Sequence, residues 1–358
     1  MKEKLSGKIK DRVISLEKTI LSALKLMDEI DKKLLLVFDN RIFINIISIG
    51  DIQRAIINNF PLDTPIKNIL RKKTRLSYDT EDFKTIRQRM LKYRTECMPV
   101  LNKKNELVDV YFWEDVFSVK EKRIKRNLNL PVIIMAGGKG TRLKPLTNVI
   151  PKPLIPLDKK TIIENIMDKF ADTGCNTFYI SVNYKADMIR YYFETLNNSE
   201  YKISYFKENK PLGTAGSLFL LKGIINSTFF ISNCDIIIDE DYGEIYDYHK
   251  NNKNELTIVA ALKHYKIPYG TIESKEDGLL TELNEKPELT FKINSGMYIL
   301  EPHLLNEIPD NTFFHITELI ETINNRNGKI GVFPVSEKSW IDIGNREAYN
   351  LYLDRISK

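Results

Sequence analysis

"MAGGKGTRLKPLT", residues 135–147, starts where the apolar run "PVIIM" (131–135) ends and puts three glycines, two lysines and an arginine into one loop. Glycines let backbone N–H groups approach an anion with no side chain in the way. Lys139, Arg142 and Lys144 add mobile positive charge. Two familiar phosphate loops do not fit. A Walker loop would need glycine at Ile133, and a dinucleotide fingerprint would need glycine at Leu143. What remains is a polyanion loop, and a triphosphate is its natural guest. Ten residues beyond Arg142, "IPKPLIP" (150–156) sets Lys152 between Pro151 and Pro153. The prolines hold that backbone stiff, so Lys152 is preset as a clamp for charge developing nearby.

Outward from the loop the chain alternates. Strands are expected at 132–136, 177–182, 202–206 and 228–233, and helices at 161–174, 185–196 and 214–224, with Gly174 closing the first. Repeated βα units predict an α/β fold: a doubly wound, mostly parallel sheet with helices on both faces. Ligands of such sheets bind outside the carboxyl ends of the strands, where the glycine loop sits. Asp235 ends one apolar strand, and Asp342 lies in "WIDIG" among apolar residues. A carboxylate left unpaired in such a setting would be costly.

These stretches resemble the sugar-1-phosphate nucleotidylyltransferases. "AGGKGTRLKPLT…PKPLIP" looks like the family signature. "PLGTAGSL" (211–218), "SNCD" (232–235), "NEKP" (284–287), "NSGMYIL" (294–300) and "WIDIGN" (340–345) follow in order. The resemblance covers residues 131–358 and implies a Rossmann-like, glycosyltransferase-A-like domain. The implied reaction is attack by a sugar 1-phosphate oxygen on the α-phosphorus of an NTP, with pyrophosphate leaving. Such a reaction needs no enzyme nucleophile, only positioning and charge neutralisation. Ala136, Gly137, Gly138, Gly140 and Thr141 would then line the nucleotide. Arg142 would reach the leaving phosphates and Lys152 the α-phosphate. Asp235 and Asp342 would hold Mg²⁺, for which Mn²⁺ can stand in. The resemblance also gives Gly213, Thr214, Glu285, Lys286 and Asn294 to the substrates. Glu285 would take sugar hydroxyls, Lys286 the sugar phosphate, and Gly213 and Asn294 the pyranose. Glu208 occupies the place where the family reads the base. A carboxylate offers only acceptors, which suits guanine's adjacent donors and favours GTP; the alternative is that Glu208 merely anchors its loop.

Residues 1–124 have another grammar. "LLLVFDNRIFINIISIGDI" (34–52) aligns with "MPVLNKKNELVDVYFWEDV" (98–116) with one inserted residue. Each copy reads strand, turn, strand, helix start, and each follows a helical pattern, at 16–30 and 80–94. The unit resembles a tandem cystathionine-β-synthase (CBS) pair, an α+β module that often binds purine nucleotides and regulates an attached enzyme. The resemblance assigns the ligand to Ser48 and Asp51 in "SIGD"; helix capping is the plainer reading of the same pair. The second copy keeps Asp115 but has Phe112 in place of the hydroxyl. Residues 125–130 read as a linker. The combination resembles the bacterial glucosamine-1-phosphate guanylyltransferases that feed legionaminic acid synthesis. Alternatives are a mannose-1-phosphate guanylyltransferase, a uridylyl, thymidylyl or cytidylyl transferase, and, outside the class, a silent nucleotide-sensing subunit.

The 54 basic and 48 acidic residues are scattered, so the net +6 describes a solvated surface rather than a nucleic-acid stripe. No apolar run is long enough for a membrane span, and the N-terminus lacks the apolar core of a signal peptide. Three dispersed cysteines read as free thiols in a reducing cytoplasm. The four histidines form no cluster. No hexapeptide repeat follows the transferase motifs, so no fused acetyltransferase is expected. A homo-oligomer is expected.

Overall fold

In the computed structural model, which describes residues 7, 9–72, 74–93, 95–116, 127–196 and 198–356, the chain forms two compact units, Met1–Ile124 and Lys125–Lys358. The side chain of Asp115, and Lys125 and Arg126 of the expected linker, lie outside the described residues; 127–130 carry no regular structure.

The second unit is built on one seven-stranded sheet. Its strands in chain order are β1 (Pro131–Met135), β2 (Thr177–Val182), β3 (Lys202–Lys207), β4 (Phe229–Asn233), β5 (Leu256–Lys266), β6 (Glu288–Leu300) and β7 (Ile330–Ser336). They lie in the order β3-β2-β1-β4-β6-β5-β7. Only β6 runs antiparallel; it enters between β4 and β5. The fold is thus a mixed α/β sheet rich in parallel pairs. From β1 the order runs outward to β3 on one side and jumps to β4 on the other. In open sheets of this kind ligands bind outside the strand ends at such a reversal, which here falls beyond β1 and β4.

Burial on both faces explains the apolar strands. In β4, Phe229 and Ile231 join a core containing Ile133, Tyr298, Leu300 and Leu319. Phe230 points the other way, 5.3 Å from the Phe170 ring and 6.2 Å from Tyr242. Phe170 belongs to the helix Ile162–Ala171, whose start is fixed by a capping box between Thr161 and Glu164.

The expected helix over 214–224 is instead a 3₁₀ turn, Gly216–Leu221. The cause lies a hundred residues downstream. Ala215 and Gly216 both donate their N–H to the Phe314 carbonyl, at 3.0 and 2.9 Å. A Cβ on Gly216 would stand 2.5 Å from the Thr312 carbonyl oxygen. The clasp leaves no room for a wider α-turn.

The first unit holds two three-stranded sheets of like design. One is Val13–Ser15, Leu34–Asp39 and Ile42–Ser48; the other is Ser77–Tyr78, Cys97–Leu101 and Leu107–Phe112. In each, a parallel pair is followed by an antiparallel hairpin. One apolar cluster draws Leu36, Phe38 and Ile46 from the first sheet and Cys97, Leu101 and Phe112 from the second.

Candidate functional site

The glycine loop leaves β1 at the switch point and is shaped by close approaches. Ala136 is buried and donates its N–H to the Ser181 carbonyl at 3.1 Å. A Cβ on Gly137 would come 3.1 Å from Glu208 Oε1. Gly140 has φ +61°, and a Cβ there would press on Thr147 Cγ2 at 2.8 Å and Lys152 Cβ at 3.0 Å. The Thr147 hydroxyl donates to the Gly140 carbonyl at 2.9 Å. Gly140 therefore has a conformational and a steric reason to be glycine. Gly138 has open space around it. Thr141 and Arg142 are exposed at the loop's end.

Lys152 and Asp235 meet. Lys152 sits in a 3₁₀ turn of which Pro151 is the N-cap, and Asp235 follows β4. Their side chains, 10% and 12% exposed, form an ion pair between Lys152 Nζ and Asp235 Oδ2. Immediately after Asp235, the strand Ile236–Ile238 pairs with Trp340–Asp342, which sets Ile236 opposite Asp342. The Ile343 N–H donates to the Asp235 carbonyl at 2.8 Å. Two aspartates more than a hundred residues apart are thereby brought to the same end of a strand pair, Asp342 within one strand and Asp235 just before the other.

Between them lies Gly344. A Cβ on it would stand 2.5 Å from Asp342 Oδ1 and 3.2 Å from both Asp235 Oδ2 and Arg142 Nη2. The Gly344 N–H donates to Asp342 Oδ1 at 2.7 Å. Any larger residue would fill a cradle lined by two hard carboxylate oxygens. The donor set and the cradle fit a divalent cation such as Mg²⁺. Beside it, burial, reinforced by the Asp235 charge, pushes the Cys234 thiol up to about 12. Among the described residues one group of three close ligating side chains occurs elsewhere: Glu255, His303 and Glu307. Arg326 already pairs with both of its carboxylates.

Glu208 is 7% exposed and tied on both oxygens. Ser181 Oγ donates to Oε1 at 2.6 Å, and the Leu212 N–H donates to Oε2 at 3.2 Å. Asn183 Nδ2 reaches its carbonyl at 3.1 Å. The loop-anchoring alternative therefore has a physical basis, and the same anchor touches Gly137. Gly213 has φ +82° and packs on Phe314, and Thr214 Oγ1 accepts from the Ile316 N–H at 3.0 Å. Asn294 Oδ1 accepts from the Gly296 N–H at 3.1 Å. Gly296 in turn leaves space for Asn233, whose Nδ2 would lie 2.5 Å from a Cβ there. Glu285 and Lys286 are exposed beyond the hairpin strand Leu280–Asn284, and Glu285 Oε2 lies 3.0 Å from where a Cβ on Gly270 would be.

In the first unit Ser48 and Asp51 form a capping box on the helix Ile49–Ile57. The Asp51 carboxylate also pairs with Arg54 Nη2 at 2.5 Å and with Arg71 Nε. Burial alone would raise this carboxyl, but the Arg71 and Ser48 hydrogen bonds outweigh it and hold it below the ordinary aspartate value. Arg54, Arg71, Asn58, Asn68 and Phe60 line a recess of about 280 Å³ beside it.

Residues 131–355 match the family model described as nucleotidyl transferase. The chain belongs to that family. A mannose-1-phosphate guanylyltransferase catalytic subunit beta of Drosophila pseudoobscura pseudoobscura is 34% identical over 182 residues, which cover 49% of each chain. A mannose-1-phosphate guanyltransferase of Yarrowia lipolytica is 33% identical over 240 residues, covering 63% of this chain and 65% of that one. The chain thus spans less than two thirds of the length of these relatives. The crystal structure of HddC from Yersinia pseudotuberculosis is similar at TM-score 0.50 and 28% identity, over 63% of this chain and 99% of that one; a second structure of that protein is complexed with GMP-PN.

Sequence reasoning about this nucleotidyl transferase missed Ser181, Asn233, Phe314 and Gly344. Gly344 carried a signal: it stands in "DIG", two residues after a candidate metal aspartate. Ser181 and Asn233 act through side chains, and Phe314 through its backbone carbonyl, on residues distant in sequence, which no local pattern announces. Among the described residues no helix is long and apolar enough to cross a membrane.

Proposed function

We propose that the chain transfers GMP from GTP to a sugar 1-phosphate, giving a GDP-sugar and pyrophosphate. The observation that carries this reading is the convergence of Arg142, Lys152, Asp235 and Asp342 beyond β1 and β4, beside the glycine loop. The loop amides receive the triphosphate. Arg142 neutralises the leaving β- and γ-phosphates, and Lys152 meets the α-phosphate as charge develops there. A sugar phosphate oxygen forms the new bond to the α-phosphorus while the bond to the β-phosphate oxygen breaks. Asp235 and Asp342 hold a divalent cation, which when bound neutralises phosphate charge. Asn294, Glu285 and Lys286 receive the sugar phosphate.

Guanine is supported by the names of the relatives and by an acceptor-only Glu208 beside Gly137. For the sugar, the paired N-terminal repeat supports glucosamine 1-phosphate and a role in nonulosonic acid synthesis. The relatives' names support mannose 1-phosphate as the second reading. Residues 1–124 serve as a CBS-type regulatory module, taking a purine nucleotide at Ser48 and Asp51. The ligand must displace Arg71 from Asp51 to reach it. The assembly is a homo-oligomer. Pyrophosphate release measured with four NTPs against glucosamine, mannose and glucose 1-phosphates tests the reading. Turnover with GTP and one of these sugars supports it; no release with any pair overturns it.

A further inference from the structure

Asp235 Oδ2 does two things at once: it accepts the Lys152 ammonium, and it faces the cradle over Gly344. A cation entering that cradle would compete with Lys152 for the same oxygen. It would also meet Arg142, whose Nη2 borders the same space. Without substrate, then, Lys152 and Asp235 neutralise each other, while Asp342 Oδ1 accepts only the Gly344 N–H among the described residues. Lys152 is 8% exposed as a residue and cannot simply turn to water. A buried ammonium stripped of its carboxylate is strongly disfavoured, and so is a buried carboxylate stripped of its ammonium.

We propose that the site works by exchange of ion pairs: the empty enzyme excludes a divalent cation, and cation and triphosphate admit one another. This rests on the reading that phosphates occupy the glycine loop. When they arrive, Lys152 turns to them and releases Asp235 beside Asp342. When a cation takes the carboxylates, it frees Lys152 for phosphate. Each ligand removes the other's competitor, so their affinities rise together, and by linkage each must raise the other by the same factor. Lys152 is therefore an internal stand-in for the metal as well as a phosphate contact.

The distinguishing consequence is that removing Lys152 should improve metal binding to the empty enzyme. Mn²⁺ binding to the full chain without nucleotide can be followed by calorimetry for wild type, Lys152→Gln and the double variant Lys152→Gln/Asp235→Asn. Lys152→Gln should bind Mn²⁺ about tenfold tighter than wild type or better, within the usual range of coupling between sites. The double variant should lose that gain. In the converse arm, Asp235→Asn should bind metal-free GTP more tightly than wild type, because Lys152 is released. This arm remains readable if Lys152→Gln fails to fold. Mn²⁺ affinity in Lys152→Gln equal to or below wild type overturns the proposal, as does unchanged or weaker metal-free GTP binding in Asp235→Asn. A wild type that turns over while neither gain appears sinks the exchange alone. A wild type that releases no pyrophosphate with any sugar phosphate sinks the transferase reading instead.

Discussion

The two ends of one sheet carry similar chemistry arranged to opposite effect. At the amino end, Glu255 accepts from Arg326 at 3.0 and 2.5 Å, from the Lys329 N–H at 3.0 Å and lies 2.8 Å from His303 Nε2, and Arg326 also pairs with Glu307. Nearby, buried His249 lies between Thr257 and Glu301. Those carboxylates are filled by permanent partners. At the carboxyl end, Asp235 and Asp342 face a glycine whose missing Cβ would crowd both carboxylates, and Asp235 has a single ion-pair partner, Lys152, among the described residues. Counting acidic and basic residues would not tell the two ends apart. What separates a structural network from a reactive one is room left for a guest beside charges that can change partners.

The largest losses are expected at Lys152 and Arg142. If both act as proposed on charge that develops in the transition state, replacing either by alanine should lower kcat by roughly 10²-fold or more and change KM less. Near-normal turnover, measured as pyrophosphate release, would move the reactive centre elsewhere. Gly344→Ala should follow. Its methyl would stand 2.5 Å from Asp342 Oδ1, inside the cradle. Activity should fall at least about tenfold and the Mn²⁺ requirement should rise, since an ordered metal site tolerates little displacement. If activity at saturating Mn²⁺ is unchanged, the cradle does not hold the cation.

Glu208→Gln probes a carboxylate inside the site. Glutamine keeps the shape but exchanges one acceptor for a donor. If the carboxylate reads guanine, kcat/KM for GTP relative to UTP should fall by about one decade, the worth of one charged hydrogen bond. If Glu208 serves only Ser181 and Leu212, thermal stability should drop with the ratio intact, and the base preference would need another source.

Much of this was legible because chemistry and chain order coincide at strand ends. The glycine loop, the βα alternation, and Asp235 and Asp342 could each be read locally. The antiparallel β6 could not: a strand's own pattern does not reveal which neighbours it enters between. Helix propensity over 214–224 lost to a clasp from Phe314, a contact no local window contains. The same limit hid the Lys152–Asp235 pair. Each residue was read for its own role, and only the fold shows that the two occupy one oxygen.

The smallest effect is expected at the amino end, where substitution should change stability and leave catalysis alone. Arg326 holds two carboxylates but is 38% exposed, so solvent screens much of its pairing. Arg326→Met should therefore cost only about 1 kcal/mol, a fall of roughly 2–4 °C in Tm for a domain of this size, with kcat unchanged. The pH dependence gives the sign. The Arg326 guanidinium, acting against the effect of burial and helped by His303 and the Lys329 amide, lowers the Glu255 carboxyl from 4.5 to about 2. A carboxyl lowered in the folded state stabilises the fold above its unfolded value, because the unfolded chain binds the proton first. That contribution should be complete above about pH 5 and should drain away as pH falls from 4.5 towards 2. Urea midpoints of wild type and Glu255→Gln between pH 7 and pH 3 measure it. The difference should be steady at neutral pH and shrink below pH 4.5, while pyrophosphate release at pH 7 stays the same in both proteins. A Glu255→Gln variant that keeps its stability but loses turnover would show that this end of the sheet is coupled to the reactive one, and the division between the two ends would fail.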